Sequence, residues 1–148
     1  MTHPEEIPLG GSRGRILLAE DDAELRLLIG ATLRHQGFQV VEVSDGDRLI
    51  DELAESLRPD GTSADFDLIL SDIRMPYFSA LDVLVGARRF ILDVPVVLIT
   101  AFGDGATHER ARQRGAVAVL NKPVRLSELC ATVERVLSQR PGPSWSRS

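Results

Sequence analysis

Residues Arg15–Gly37 read RILLAEDDAELRLLIGATLRHQG. The stretch opens on a continuous apolar run over Arg15–Ala19, too short for a helix and suited to a buried strand. Three acids follow, Glu20, Asp21 and Asp22. The period then changes: Leu25, Leu28, Ile29, Thr32 and Leu33 recur at helical spacing from Asp22 to Gln36, and Gly37 supplies a stop. A buried strand, an acidic junction and an amphipathic helix succeed one another within a few residues.

The same alternation continues downstream. Gln39–Val43 (QVVEV) is strand-like, and Asp45–Leu57 places Leu49, Ile50, Leu53, Ala54 and Leu57 on one helical face. Arg58–Asp65 is polar, with Pro59 and Gly61 marking a loop. A strand is expected over Phe66–Ser71, a helix over Ala80–Arg89 and a strand over Val94–Thr100. A helix over Gly105–Arg114 is ended by Gly115, and a short strand covers Val117–Leu120. Ser127–Ser138 closes the series as a helix with Leu129, Val133, Val136 and Leu137 facing inward. Five strands alternating with five helices through short connections imply parallel crossovers, and so a doubly wound α/β sheet. Residues 15–139 form this one domain. Residues 1–14 read as a flexible leader and residues 140–148 as a flexible tail in which Trp145 is incidental.

Composition narrows the function classes. The 148 residues are 43% hydrophobic and 26% charged, within the range of globular domains. The formal net charge of −5 argues against non-specific attraction to nucleic acid or to an anionic membrane. No apolar run reaches the roughly 18 residues of a membrane span, and the first residues lack a signal-peptide pattern. A single cysteine, Cys130, cannot form an internal disulfide. It lies on the apolar side of its helix and reads as core. These features suit a soluble, reduced, cytoplasmic chain. Of the 17 basic residues only Lys122 is lysine, a position that suits a compact ammonium better than a planar fork.

In a doubly wound sheet, ligands collect beyond the carboxyl ends of the strands. The first strand ends at Glu20, Asp21 and Asp22, the third at Asp72, the fourth at Thr100, and the fifth runs into Lys122 and Pro123. Parallel strands therefore bring carboxylates, a hydroxyl and the only lysine to one edge. Taken singly, each is ordinary: acids favour a helix N-terminus, and a strand-end Asp is often a cap. Together they form a coherent site. Packed carboxylates raise one another's pKa unless a cation sits among them. Oxygen ligands on a partly open site suit Mg²⁺, and a carboxylate beside it can act as a nucleophile toward phosphorus.

The runs ILLAEDD, DLILSDIRMP, PVVLITAFGD and AVLNKP resemble, in order and spacing, the signature segments of response-regulator receiver domains of two-component signalling. The resemblance covers about Arg15 to Gln139. It implies a CheY-like, flavodoxin-like sheet of order 2-1-3-4-5 and often a cis bond before Pro123. Asp72 is then the phosphoacceptor for a histidine kinase or phosphotransfer protein. Glu20, Asp21, Asp72 and the backbone carbonyl of Arg74 hold Mg²⁺, with Asp21 a more direct ligand than Glu20. Thr100 is the switch hydroxyl, and Lys122 pairs with the phosphoryl oxygens. Asp22 falls just past the acidic pair and is a helix-start acid, and His3, His35 and His108 have surface roles. The resemblance makes the chain a phosphorylation-controlled switch rather than an enzyme acting on separate substrates.

The chain departs from the family at two places. Val119 stands where an aromatic is usual, so a ring-swapping readout is lost or altered. After Asp72 the loop reads Pro76, Tyr77, Phe78, Ser79, Ala80 instead of a glycine-rich turn, and the two aromatics either form an apolar patch or pack on the next helix. Arg74 and Phe102 are expected to flank the phosphoryl group and slow its hydrolysis. Val119 motivates a second reading, a receiver-like interaction module independent of phosphate. A haloacid-dehalogenase-type phosphatase would need an acid where Arg74 stands and a substrate cap. Nucleotide binding would need glycines after the first strand rather than before it. No recognition helix for nucleic acid follows Leu137, so the signal passes to a downstream protein target or to an output domain outside this sequence.

Overall fold

Apolar side chains on both faces of consecutive strands decide the architecture. In β1 (Arg15–Ala19) Ile16, Leu17, Leu18 and Ala19 are all fully buried, as expected of a central parallel strand covered on both faces. The computed structural model describes residues 12–56, 66–75, 78–79 (as backbone), 94–101 and 105–139. These include α1 (Ala23–His35), β2 (Gln39–Val43), α2 (Gly46–Ser56), β3 (Leu68–Asp72), β4 (Arg74–Met75) and β5 (Phe78–Ser79). Then come β6 (Val96–Thr100), α3 (Gly105–Gln113), β7 (Ala118–Asn121) and α4 (Leu126–Gln139). The expected loop at Arg58–Asp65, the helix at Ala80–Arg89, Tyr77, Phe102 and most of the leader and tail lie outside the described residues.

Five strands form one parallel sheet in the order β2-β1-β3-β6-β7, the order implied by the resemblance. Its register aligns Ala19 with Val43 and Ser71, Asp72 with Ile99, and Thr100 with Asn121. The chemistry-bearing residues at the strand ends therefore lie side by side.

The two-residue alternation of strands sorts the core into two layers. Leu17 packs with Ala19, Ile69, Val96 and Leu98 under Leu49 and Leu53 of α2 and Ala111 of α3. Ile16, Leu18, Leu68, Leu70, Val97 and Ile99 pack on the other face under Ile29 and Leu33 of α1 and Leu129, Val133 and Val136 of α4. This is a doubly wound α/β fold.

Helix ends follow local chemistry. Asp22 caps α1, its Oδ1 accepting from the Leu25 amide at 3.1 Å. At the other end the Gly37 amide bonds Arg34 O at 2.9 Å and the Phe38 amide bonds Leu33 O at 3.1 Å. That paired closure needs a left-handed residue, and Gly37 supplies φ 98°. Gly115, with φ 105°, ends α3 the same way.

Four apolar assignments differ from expectation. Leu28 is 51% exposed, Ile50 is 45% exposed and Ala54 is exposed, because each helix is rotated so that their neighbours Ile29, Leu49 and Leu53 point into the core. Cys130 is half-buried rather than core, and burial with the nearby Glu134 pushes its thiol pKa up. A short antiparallel pair, β4 with β5, joins Arg74 to Ser79 and Met75 to Phe78 in the segment read from sequence as a loop.

Candidate functional site

The acidic loop begins where β1 leaves the sheet. Glu20 is fully buried; its amide donates to Val43 O at 3.1 Å. One carboxylate oxygen, Oε2, accepts from the Asp22 amide at 3.1 Å. Asp21, next along, is exposed. Asp22 is turned to its capping role, as its position just past the acidic pair led us to expect.

Asp72 ends β3 and is 5% exposed. Its Oδ1 accepts from the Arg74 amide at 3.2 Å and its Oδ2 from Lys122 Nζ at 2.7 Å. Lys122 reaches it from the end of β7, two strands away in the sheet, where its own amide donates to Thr100 O at 2.8 Å. The Lys122–Pro123 bond is cis. Thr100 is buried at the end of β6, one residue beyond Ile99, the register partner of Asp72.

Oxygens of Glu20, Asp21 and Asp72 lie within 4.8 Å of one another. Glu20 Oε1 is buried and accepts no hydrogen bond among the described residues. Lys122 Nζ stands 3.1 Å from it, outside hydrogen-bonding geometry, and bonds Oε2 at 3.4 Å instead. Burial raises the Glu20 pKa to about 7; the Asp22 amide opposes the rise, while the neighbouring charge of Asp72 and the contact with Asp21 add to it. Burial alone would lower the Lys122 pKa, but its hydrogen bonds to Asp72 and Glu20 outweigh that and leave it above the ordinary lysine value. A buried, unsatisfied carboxylate oxygen facing two further acids fits a hard divalent cation taking oxygen ligands. The cluster could hold such an ion.

The structure thus brings together Glu20, Asp21, Asp72 and Lys122, with Thr100 at the adjoining strand end. The Arg74 amide belongs to the site through Asp72, while its side chain is exposed. Val119 is half-buried against the core, and His108, on α3, shares a hydrogen bond of 2.7 Å with Asn121. Sequence reasoning missed Arg26, whose Nη1 donates to Glu20 O at 2.8 Å. The only hint was a basic residue one turn into a helix that follows three acids.

Residues 16–134 match the response regulator receiver domain family. The chain belongs to this family. This receiver is 35% identical over 128 residues to the transcriptional regulatory protein PdtaR of Mycobacterium tuberculosis, an alignment covering 84% of this chain and 57% of that protein. It is 33% identical over 125 residues to the phosphate regulon transcriptional regulatory protein PhoB of Escherichia coli, covering 83% and 51%. The chain thus spans about half the length of the curated relatives it matches. The Francisella response regulator 1452 receiver domain superposes with a TM-score of 0.75 at 21% identity, covering 86% of this chain and 98% of that one, a likeness of fold. Among the described residues no helix is long and apolar enough to cross a membrane.

Proposed function

We propose that this receiver accepts a phosphoryl group from the phosphohistidine of a sensor kinase or phosphotransfer protein onto Asp72, and that the modification switches a protein-binding surface. The observation that carries the reading is the environment of Asp72. It is a buried strand-end carboxylate bonded to the only lysine, with one of its oxygens within 4.8 Å of an oxygen from each of two further acids.

The residues divide the work. Glu20, Asp21 and Asp72, with the Arg74 carbonyl, would hold Mg²⁺, which when bound neutralises negative charge on the transferring group. A carboxylate oxygen of Asp72 attacks phosphorus, the phosphorus–nitrogen bond to the donor imidazole breaks, and its electron pair stays on that nitrogen. Lys122, already 2.7 Å from Asp72, pairs with a phosphoryl oxygen, and the Thr100 hydroxyl donates to another. Hydrolysis of the acyl phosphate returns Asp72, so the chain is a self-modifying switch without a separate substrate. The added charge biases two surface states; a near-complete switch needs about 5 kcal/mol of preference. We place the exchange in the cytoplasm, and assign the readout to a downstream protein or an output domain outside residues 15–139.

Intact mass after incubation with acetyl phosphate tests the reading, with and without Mg²⁺ and beside Asp72→Asn. A Mg²⁺-dependent phosphoryl adduct that Asp72→Asn lacks is expected. A folded, Mg²⁺-binding protein that takes no adduct would instead support the phosphate-independent interaction module, which Val119 favours by lacking a ring to swap between exposed and buried positions.

A further inference from the structure

Arg26 takes no part in the chemistry above, yet it is tied into the acidic loop from behind. Its Nη1 donates to the main-chain oxygen of Glu20 at 2.8 Å, and its Nε lies 3.7 Å from Glu42 Oε1. Glu42 sits on β2 beside Val43, whose carbonyl accepts the Glu20 amide. Arg34 meets Glu42 Oε2 at 2.6 Å and also donates to Val40 O at 2.9 Å. Arg26, Gly30 and Arg34 follow one another at spacing four along one helix face. A Cβ on Gly30 would clash with Glu42 Oε2, so the carboxylate fills the room that a side chain there would take. The side chains of Arg26 and Glu42 are 18% and 14% exposed.

We propose that Arg26 is a positioning residue for the divalent-cation site: anchored by Glu42, it holds the Glu20 carbonyl and thereby the direction in which Glu20 and Asp21 present their carboxylates. The inference rests on the cation site proposed above. The carbonyl of Glu20 and the amide of Asp21 belong to one rigid peptide plane. Gripping that oxygen therefore fixes the plane from which the Asp21 side chain departs. Asp21 is exposed, and among the described residues no hydrogen bond between its side chain and a backbone group gives it a comparable anchor.

The sign of the effect separates this role from its competitors. As a positive charge near a cation site, Arg26 would repel Mg²⁺, so a purely electrostatic role predicts tighter binding on its removal. A purely structural role lowers stability without changing affinity. Positioning predicts weaker binding even when the charge is kept, because lysine lacks the fork that spans two acceptors. Supports of this kind commonly change metal affinity by about 10- to 100-fold.

An amide-resolved NMR titration with MgCl₂ tests this on the intact chain, comparing wild type, Arg26→Lys, Arg26→Ala and Glu42→Gln. Arg26→Lys should weaken Mg²⁺ about tenfold. Glu42→Gln should weaken it less, in the same direction, with the remaining amide pattern native. Metal-free, the Asp22 amide, which donates to Glu20 Oε2, should lose exchange protection in both. A natively folded Arg26→Lys with wild-type Mg²⁺ affinity overturns the inference while leaving the site itself intact. A wild-type protein whose Glu20, Asp21 and Asp72 amides do not respond to Mg²⁺ overturns the cation site and this inference together.

Discussion

Nζ of Lys122 meets Oδ2 of Asp72 at 2.7 Å across the end of β6, linking two strands that do not touch. The ammonium also lies 3.1 Å from Glu20, so one cation offsets two buried carboxylates. Lys122→Ala leaves both unpaired. Removing one partner of a buried pair costs about 3–5 kcal/mol when the pair is sealed, and partial exposure of the lysine brings the expected loss to about 2 kcal/mol. Urea unfolding of the metal-free variant should show this at alkaline pH. Added Mg²⁺ should recover part of it, and an unchanged midpoint would refute the pairing.

The raised pKa of Glu20 carries a pH dependence of its own. The folded protein keeps this proton up to about pH 7, whereas the unfolded chain releases it near 4.5. Between those values the folded state binds more protons, so metal-free stability falls as pH rises through the window and levels off above it. Mg²⁺ bound at the proposed site would have to displace the same proton. Its affinity should therefore drop below about pH 7, by up to about tenfold per unit for one proton released. Calorimetric titrations on either side of neutrality check this, and Glu20→Gln should flatten the profile.

Asp21 and Asp22 are adjacent, but Asp22 caps α1 whereas the proposed cation site assigns Asp21 to the metal. Asp22→Ala should cost about 1 kcal/mol through loss of the helix cap and leave Mg²⁺ affinity unaltered. Asp21→Asn should weaken Mg²⁺ sharply with little loss of stability. Thermal unfolding and Mg²⁺ titration of the two variants would show the exchange of phenotypes, and a loss of Mg²⁺ binding in Asp22→Ala would count against the assignment.

Gly30 offers a double-mutant test of the α1–β2 contact. Alanine in place of a mid-helix glycine ordinarily gains up to about 1 kcal/mol. Here the added Cβ would displace Glu42 from Arg34, so Gly30→Ala should gain nothing. In a Glu42→Ala background the helix gain of about 0.5–1 kcal/mol should reappear. Additive effects of the two substitutions in urea unfolding would remove the proposed conflict.

The strand ends were legible because buried parallel strands are short and nearly all apolar: RILLA and VVLIT declare themselves. Once their order followed, Glu20, Asp72 and Lys122 had to share an edge. Leu28, Ile50 and Ala54 face solvent against expectation because helical spacing gives a face but not its exact rotation, and adjacent apolar residues leave that rotation open. The β4–β5 pair is too short to carry a period. Arg26 and Glu42 were invisible as partners because their meeting depends on how α1 lies across β2, a tertiary fact with no local trace.

The ion pair between Glu20 and Lys122 joins residues 102 positions apart. Contacts of such separation form only after the chain between them has been gathered in. During synthesis the acids of the first strand emerge long before their lysine, and β7 must dock before the charge is balanced. A partly made chain thus has the crowded carboxylates without their counter-ion. The complete constellation belongs to the finished fold, so the site doubles as a certificate that the final strand is in place.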